Sequence, residues 1–268
     1  MNILLIGAGN TGGNLLPILK KKFKKITIVN RNKKTNRELN RLYSAEVFEN
    51  LNDVLIRNYD CYILCVQDKF IKSVFKKISG AEKNFKNKYF IHLSGSLSSD
   101  IFHSDKINKT NIISAHPIQS FAGIQKNGDK LFKNITIGID GGANATKLIY
   151  YIFSDYNINY VKINSKDKIL YHLASVIASN FLVTQFHLIQ KILNKIGLKD
   201  SKSFDIFEEI INTTINNIKT KGIKNSLTGP VKRGDIRTIK LHKEEIKKRI
   251  PEIANYYKIL TDFTNELK

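Results

Sequence analysis

The run Gly7-Ala8-Gly9-Asn10-Thr11-Gly12 follows the apolar stretch Ile3-Leu4-Leu5-Ile6 and precedes Leu15-Leu16-Pro17-Ile18-Leu19, whose spacing reads as a helix. Three glycines so spaced between a strand and a helix dictate the path of the backbone. The first permits a tight turn, the second leaves bare main chain open to a close approach, and the third lets helix and strand pack. The start of the helix then presents free N–H groups and the positive end of its dipole, which suits a phosphate. Together these features predict a dinucleotide-binding unit at the head of the chain, with Gly7, Gly9, Asn10, Thr11 and Gly12 around the pyrophosphate.

The next apolar run, Ile26-Thr27-Ile28-Val29, ends at Asn30-Arg31, about 23 residues past Gly7, where an NAD-binding chain places an acid on the ribose hydroxyls. No carboxylate stands there. Arg31 instead offers a planar fork suited to a 2′-phosphate, so Asn30 and Arg31 predict NADP as the cofactor. Val66, after the third long strand, falls at the carboxyl edge of the sheet where the cofactor passes. Asp68 is expected to cap the helix that follows.

Apolar runs alternate with amphipathic segments through Tyr62-Ile63-Leu64-Cys65-Val66, Tyr89-Phe90-Ile91-His92-Leu93 and Ile112-Ile113-Ser114-Ala115, and two further strands are expected at Ile135 to Ile139 and Tyr160 to Ile163. This alternation predicts a parallel sheet with helices on both faces. From Asp167 onward helical patterns dominate. The expected organisation is therefore α/β: a Rossmann dinucleotide-binding domain over residues 1–163 and an all-α substrate and dimerisation domain over 164–268. A single helix from Leu170 to Leu193 is apolar on nearly every side, which predicts burial all round, between the subunits of a homodimer.

Composition narrows the partners. With 42% hydrophobic residues the chain is expected to fold as a globular protein, and no apolar run is read as reaching the ~20 residues of a membrane span. It begins in a strand without a basic leader, and Cys61 and Cys65 read as buried reduced thiols, so a cytoplasmic setting without membrane association is expected. The net charge of +21 comes mostly from Lys spread along the whole chain without interleaved aromatics. It reads as base composition rather than a nucleic-acid footprint, and it favours anionic small molecules.

Ser94-Gly95-Ser96 follows one strand and His116-Pro117 the next, so both reach the sheet edge where α/β proteins bind substrate. A histidine titrating near neutrality exchanges a proton with a reacting oxygen while a hydride moves, and Ser94 orients the same oxygen. Lys168, His172, Ser175, Ser179 and Asn180 recur at helical spacing and form a polar line on the apolar helix. Leu227 to Asp235 reads as a loop between helices, with Asp235 as the next N-cap and Arg233 placed to bind a carboxylate or phosphate. The expected catalytic residues are His116, Ser94 and Asn180. Ser96, His172 and Arg233 are the expected substrate contacts, and no metal site is expected.

These strings, with His92-Leu93-Ser94-Gly95, His116 to Phe121, Tyr171-His172-Leu173-Ala174 and Ala178-Ser179-Asn180, resemble the Rossmann-like oxidoreductases whose carboxyl half is a domain of unknown function. The likeness extends in fold to pyrroline-5-carboxylate reductase, ketopantoate reductase and the deazaflavin-dependent NADP oxidoreductases. It implies a 6-phosphogluconate dehydrogenase-like helical domain, NADP binding and dimers. A serine after one strand and His-Pro after the next also resemble prephenate and arogenate dehydrogenases, which implies roles for Ser94 and His116 at a substrate hydroxyl. The expected activity is hydride transfer between NADP and a small anionic carbonyl, imine or hydroxy compound. The alternatives are an aromatic-acid enzyme of the prephenate or arogenate dehydrogenase kind and a non-catalytic NADP-binding sensor.

Overall fold

The computed structural model describes residues 1–81, 85–198 and 203–267. The chain separates into two compact units, Met1–Ser179 and Asn180–Lys268. The first contains β1 (Asn2–Ile6), α1 (Asn10–Lys22), β2 (Lys25–Val29), α2 (Lys33–Tyr43), β3 (Val47–Phe48), β4 (Cys61–Leu64), α3 (Asp68–Ala81), β5 (Tyr89–His92), β6 (Ile112–Pro117), β7 (Thr136–Gly141), α4 (Ala143–Ile152), β8 (Asn159–Lys162) and α5 (Lys168–Ala178). The strands form one sheet in the order β3-β2-β1-β4-β5-β6-β7-β8.

Alternation along each strand fills both faces of this sheet. Ile3 and Leu5 of β1, with Ile63, Ile91 and Ile113, face Leu15, Leu16, Ile18 and Leu19 of α1 and Leu148, Ile149 and Ile152 of α4. Leu4 and Ile6 point the other way, with Tyr62, Leu64 and Phe90, toward Ile71, Phe75 and Ile78 of α3. Each such aliphatic side chain contributes about 1.5–3 kcal/mol through burial. Tyr62 and Phe90 stack at 4.9 Å between ring centres, and Phe75 and Phe102 meet Phe90 at 5.4 and 5.6 Å.

The sheet departs from the all-parallel expectation at its far end. The first six strands are parallel, but β7 returns antiparallel to β6, and β8 pairs parallel to β7. The reversal follows from the connection: after β6 the chain runs through a short 3-10 turn at Gly128–Phe132 instead of a crossover helix, so the next strand enters from the opposite end. It sets Gly138 directly across from His116.

The second unit is helical: α6 (Asn180–Lys195), α7 (Ser203–Ser226, kinked at Gly222, φ 76°), α8 (Gly229–Arg233), α9 (Ile236–Arg249) and α10 (Ala254–Asn265). Its apolar cluster is Ile246, Ile250 and Ile253, with Leu188 and Tyr257 packed against them. Asp235 caps α9, accepting from Thr238 N–H at 3.0 Å and Thr238 Oγ1 at 2.7 Å.

Three features differ from the sequence pattern. The single helix expected over Leu170 to Leu193 is broken at Ser179 (φ −120°, ψ −63°), and α5 keeps company with the sheet because Lys168 is buried there, whereas the pattern places the domain boundary after residue 163. The stretch Ser165–Lys195 is long and apolar enough, by length and composition, to cross a membrane, contrary to the expectation that no run reaches that length. The segment Leu227 to Asp235 is not a plain loop, since it holds the single turn of α8, which puts Arg233 on a helix end.

Candidate active site

The three glycines have three distinct surroundings. Gly7 has φ +85°, its N–H donates to Val29 O at 2.8 Å, and a Cβ on it would meet the Cys65 carbonyl and Val66 Cγ1 at 2.8 Å. A Cβ on Gly12 would come within 2.2 Å of Gly7 O, whereas one on Gly9 would meet nothing within 4 Å. The turn, the helix contact and the open backbone are thus divided among them as the spacing predicts. Helix α1 starts at Asn10 with no side chain capping it, leaving its first N–H groups for an anion. These residues fit a dinucleotide pyrophosphate.

Asn30 buttresses this turn. Its Oδ1 accepts from Ala8 N–H at 3.2 Å, and its amide donates to Asn36 Oδ1 at 2.7 Å. Arg31 is exposed, its guanidinium 5.0 Å above the Phe70 ring, and it has no ion pair among the described residues. Asn10 donates to Phe121 O at 2.9 Å. Asn14, fully buried, donates to Asn10 O and Gly123 O, both at 2.7 Å, and accepts from Gln125 N–H at 2.8 Å. It ties the segment following β6 to helix α1.

At the ends of β5 and α3 the hydroxyls converge on one carboxylate. Ser94 Oγ donates to Asp68 Oδ2 at 2.8 Å and accepts from Ser96 N–H at 3.2 Å and Leu97 N–H at 3.0 Å. Ser96 Oγ donates to the same oxygen at 2.5 Å. Asp68 therefore anchors the serine turn rather than capping α3, and the Ser94 hydroxyl already has a full set of partners. Beneath it His92 is buried, its Nδ1 accepting from Ser94 N–H at 3.2 Å; burial lowers its pKa to about 4, which keeps the ring neutral.

His116, on β6, faces the same turn. Its Nδ1 lies 2.9 Å from the Tyr171 hydroxyl, and its ring and that of His172 close over Gly95, where a Cβ would meet His172 Cδ2 at 2.5 Å and His116 Cε1 at 2.9 Å. Lys168, 1% exposed, donates to Ser114 Oγ at 2.8 Å and Ser94 O at 3.3 Å. Burial lowers its pKa to about 8. Burial first, then the Lys168 charge, pushes His116 down to about 4, so it is a neutral imidazole instead of the near-neutral titrating group that its position suggests.

One cavity of about 240 Å³ joins these parts. Thr11, Cys65 and Val66 line its glycine-turn end, and Asp68, Ser94, Gly95, His116 and His172 line the other, with Gln119 and Phe121 between. The structure thus gathers Thr11, Val66, Ser94, His116 and His172 around one space, next to Gly7, Gly9 and Gly12. Of the polar helical line, Lys168 and His172 face this region, whereas Ser175 Oγ turns back to Tyr171 O at 3.3 Å. Asn180 and Arg233 belong to the second unit, where both are exposed. Asn14, Tyr171, Gln119 and Phe121 were not singled out by spacing. The strings Tyr171-His172 and His116 to Phe121 contain three of them; Asn14 lay outside every string.

A glycine turn of this kind on this sheet, with a cavity leading from it to a histidine, is the arrangement of a Rossmann-fold dinucleotide-binding domain. Residues 2–94 match the family model described as NADP oxidoreductase, coenzyme F420-dependent, and residues 135–264 match a domain of unknown function, DUF2520. The two matches lie in the amino-terminal and carboxyl-terminal parts of the chain, each over less than half of it. No curated protein matches it. Among solved structures it is similar to a protein from Thermotoga maritima at 27% identity and TM-score 0.73, covering 99% of this chain and 97% of that one. A Bacteroides fragilis protein described as an NADP oxidoreductase aligns at 24% identity and TM-score 0.79, covering 99% and 98%. A Plasmodium falciparum pyrroline carboxylate reductase with NADP bound shares the fold at 14% identity and TM-score 0.60, covering 100% and 98%.

Proposed function

We propose that the protein is an NADP-dependent oxidoreductase that moves a hydride between the nicotinamide and a small anionic carbonyl, imine or hydroxy compound. The observation that carries this reading is the single cavity lined by Thr11 and Val66 at the glycine turn and by His116 and His172 at its other end. The cofactor, when bound, supplies or receives the hydride. Gly9 admits its pyrophosphate, and the unpaired Arg31 takes the 2′-phosphate. His116 meets the reacting oxygen or nitrogen, His172 and Ser96 flank it, and Ser94 acts by fixing the turn through Asp68. Asn180 and Arg233 remain candidates for orienting substrate on their sequence strings.

A homodimer is part of the same reading. Helix α5 exposes Ile169 (63%), Leu170 (68%), Leu173 and Ile177, and α6 exposes Phe181, Leu182 and Val183 (70%). Apolar surface of this density is costly in water and is relieved by a second copy. Both thiols are free and burial raises their pKa, which fits a reducing cytoplasmic setting.

The test is NADPH binding by fluorescence together with turnover across 2-oxo acids, cyclic imines and hydroxy acids. Binding with turnover that falls about 100-fold or more in His116→Ala is the expected outcome. An activity untouched by His116→Ala removes the histidine from the chemistry, and binding without turnover across the panel favours a sensor.

A further inference from the structure

Tyr171 has no part in the reading above, yet its hydroxyl is the partner of His116. The two rings are perpendicular, 5.5 Å between centres, and the hydroxyl oxygen lies 2.9 Å from Nδ1. Behind it is bare backbone. The reversed strand β7 sets Gly138 opposite His116, and a Cβ there would come 2.3 Å from the phenol oxygen.

The two placements of the imidazole proton are not equivalent. If His116 carried its proton on Nδ1, the phenol proton would have no acceptor among the described residues. If the phenol donates to Nδ1, the hydroxyl and Nδ1 satisfy each other and the imidazole proton resides on Nε2, on the side of the ring that lines the cavity. Nε2 lies 3.0 Å from where a Cβ on Gly95 would stand, on a ring that lines the cavity, and it has no protein partner among the described residues.

We infer that Tyr171 is a positioning residue that locks His116 as the Nε2–H tautomer and so presents a neutral hydrogen-bond donor to the cavity. A group facing that donor has to be an acceptor: a carbonyl, alkoxide or carboxylate oxygen, or an unprotonated imine nitrogen. A protonated iminium has no lone pair to offer. The charged and titratable groups around the ring are Tyr171, His172 and Lys168 of α5 and Asp68 of α3; Lys168 and His172 oppose a second proton and Asp68 favours one, with burial outweighing them all. The phenol itself is raised to about 12 by burial and stays protonated.

The inference rests on reading the cavity as a substrate site, but the tautomer is measurable without any substrate. In the full-length protein labelled with 15N-histidine, two-bond 1H–15N correlations between pH 6 and 8 are expected to show His116 protonated at Nε2 and bare at Nδ1. Tyr171→Phe keeps the ring and removes the hydroxyl, and a shift of about tenfold in the tautomer ratio toward Nδ1–H is expected, the worth of one hydrogen bond. A wild-type His116 protonated at Nδ1, or one titrating above pH 6, overturns the inference without recourse to any variant, and so does a ratio unmoved in Tyr171→Phe. A locked tautomer in a protein that turns over nothing leaves this inference standing while the proposed function falls.

Discussion

The two units of this molecule treat their apolar side chains differently. In the first, both faces of the sheet are covered, and Ile3, Leu4, Leu5, Tyr62 and Phe90 are at most 1% exposed. In the second, the buried apolar side chains among the described residues are Leu193, Ile246, Ile250 and Ile253, while Ile206, Ile210, Ile215 and Ile223 of α7 are each more than half exposed. A sheet closes its core with its own crossover helices, whereas helices whose apolar stripes outnumber their local partners need something else to cover them. The site described above draws its cavity from the unit whose sheet is covered on both faces.

The contrast can be broken most directly by truncating a side chain in each unit. Phe90→Ala removes a ring stacked on Tyr62 and is expected to cost about 3–5 kcal/mol in denaturant melts. Ile210→Ala, at a position 63% exposed, should cost under about 1 kcal/mol in a monomer. If sedimentation gives twice the chain mass and Ile210→Ala costs 2 kcal/mol or more, a second copy covers that face; a small cost at all protein concentrations leaves it solvated. Within the first unit, Gly12→Ala forces a Cβ against Gly7 O and is expected to abolish NADPH binding and lower the melting temperature. Gly9→Ala, with nothing within 4 Å, should fold normally and weaken binding alone, so equal melting temperatures for the two variants would contradict the division of labour drawn for the turn.

Arg31→Ala is expected to reduce the NADP-to-NAD preference roughly ten- to a hundredfold with stability unchanged. An unchanged ratio in steady-state kinetics would remove Arg31 from the 2′-phosphate. The last effect concerns acid. His92 and His116 both have pKa values lowered to about 4 in the folded state, so the unfolded chain binds more protons below the ordinary value of 6.5. Stability is therefore full above about pH 6.5 and declines as the pH falls through 4, by up to about 3 kcal/mol for each histidine. His116→Gln should flatten part of that decline in the first unit's thermal transition, whereas a decline of the same size in that variant would assign it elsewhere.

Much of the first unit was legible because its signals are local. Gly7, Gly9 and Gly12 are five residues apart at most, and the strand runs carry their own alternation. The direction of β7 was not legible, because an apolar run such as Ile137 to Ile139 reads the same in a parallel or an antiparallel pair. The site was half legible for a related reason. Ser94 and His116 announce themselves at strand ends, but that Asp68 takes both serine hydroxyls, and that Lys168 lies buried near His116, depends on elements brought together from far apart in sequence. Tyr171 is 55 residues from His116, and the string Tyr171-His172 in the sequence does not reveal that the two side chains meet.

The clamp made by Asn14 has a mechanical meaning. Its amide grips α1 at Asn10 and the segment after β6 at Gly123 and Gln125, and that segment supplies Phe121 and, through Gln119, reaches back toward the histidine strand. The helix that receives the phosphates and the wall that borders His116 are thereby yoked, so that a displacement of one carries the other with it. Whatever seats itself at the glycine turn therefore meets a cavity wall already fastened to the helix beneath it.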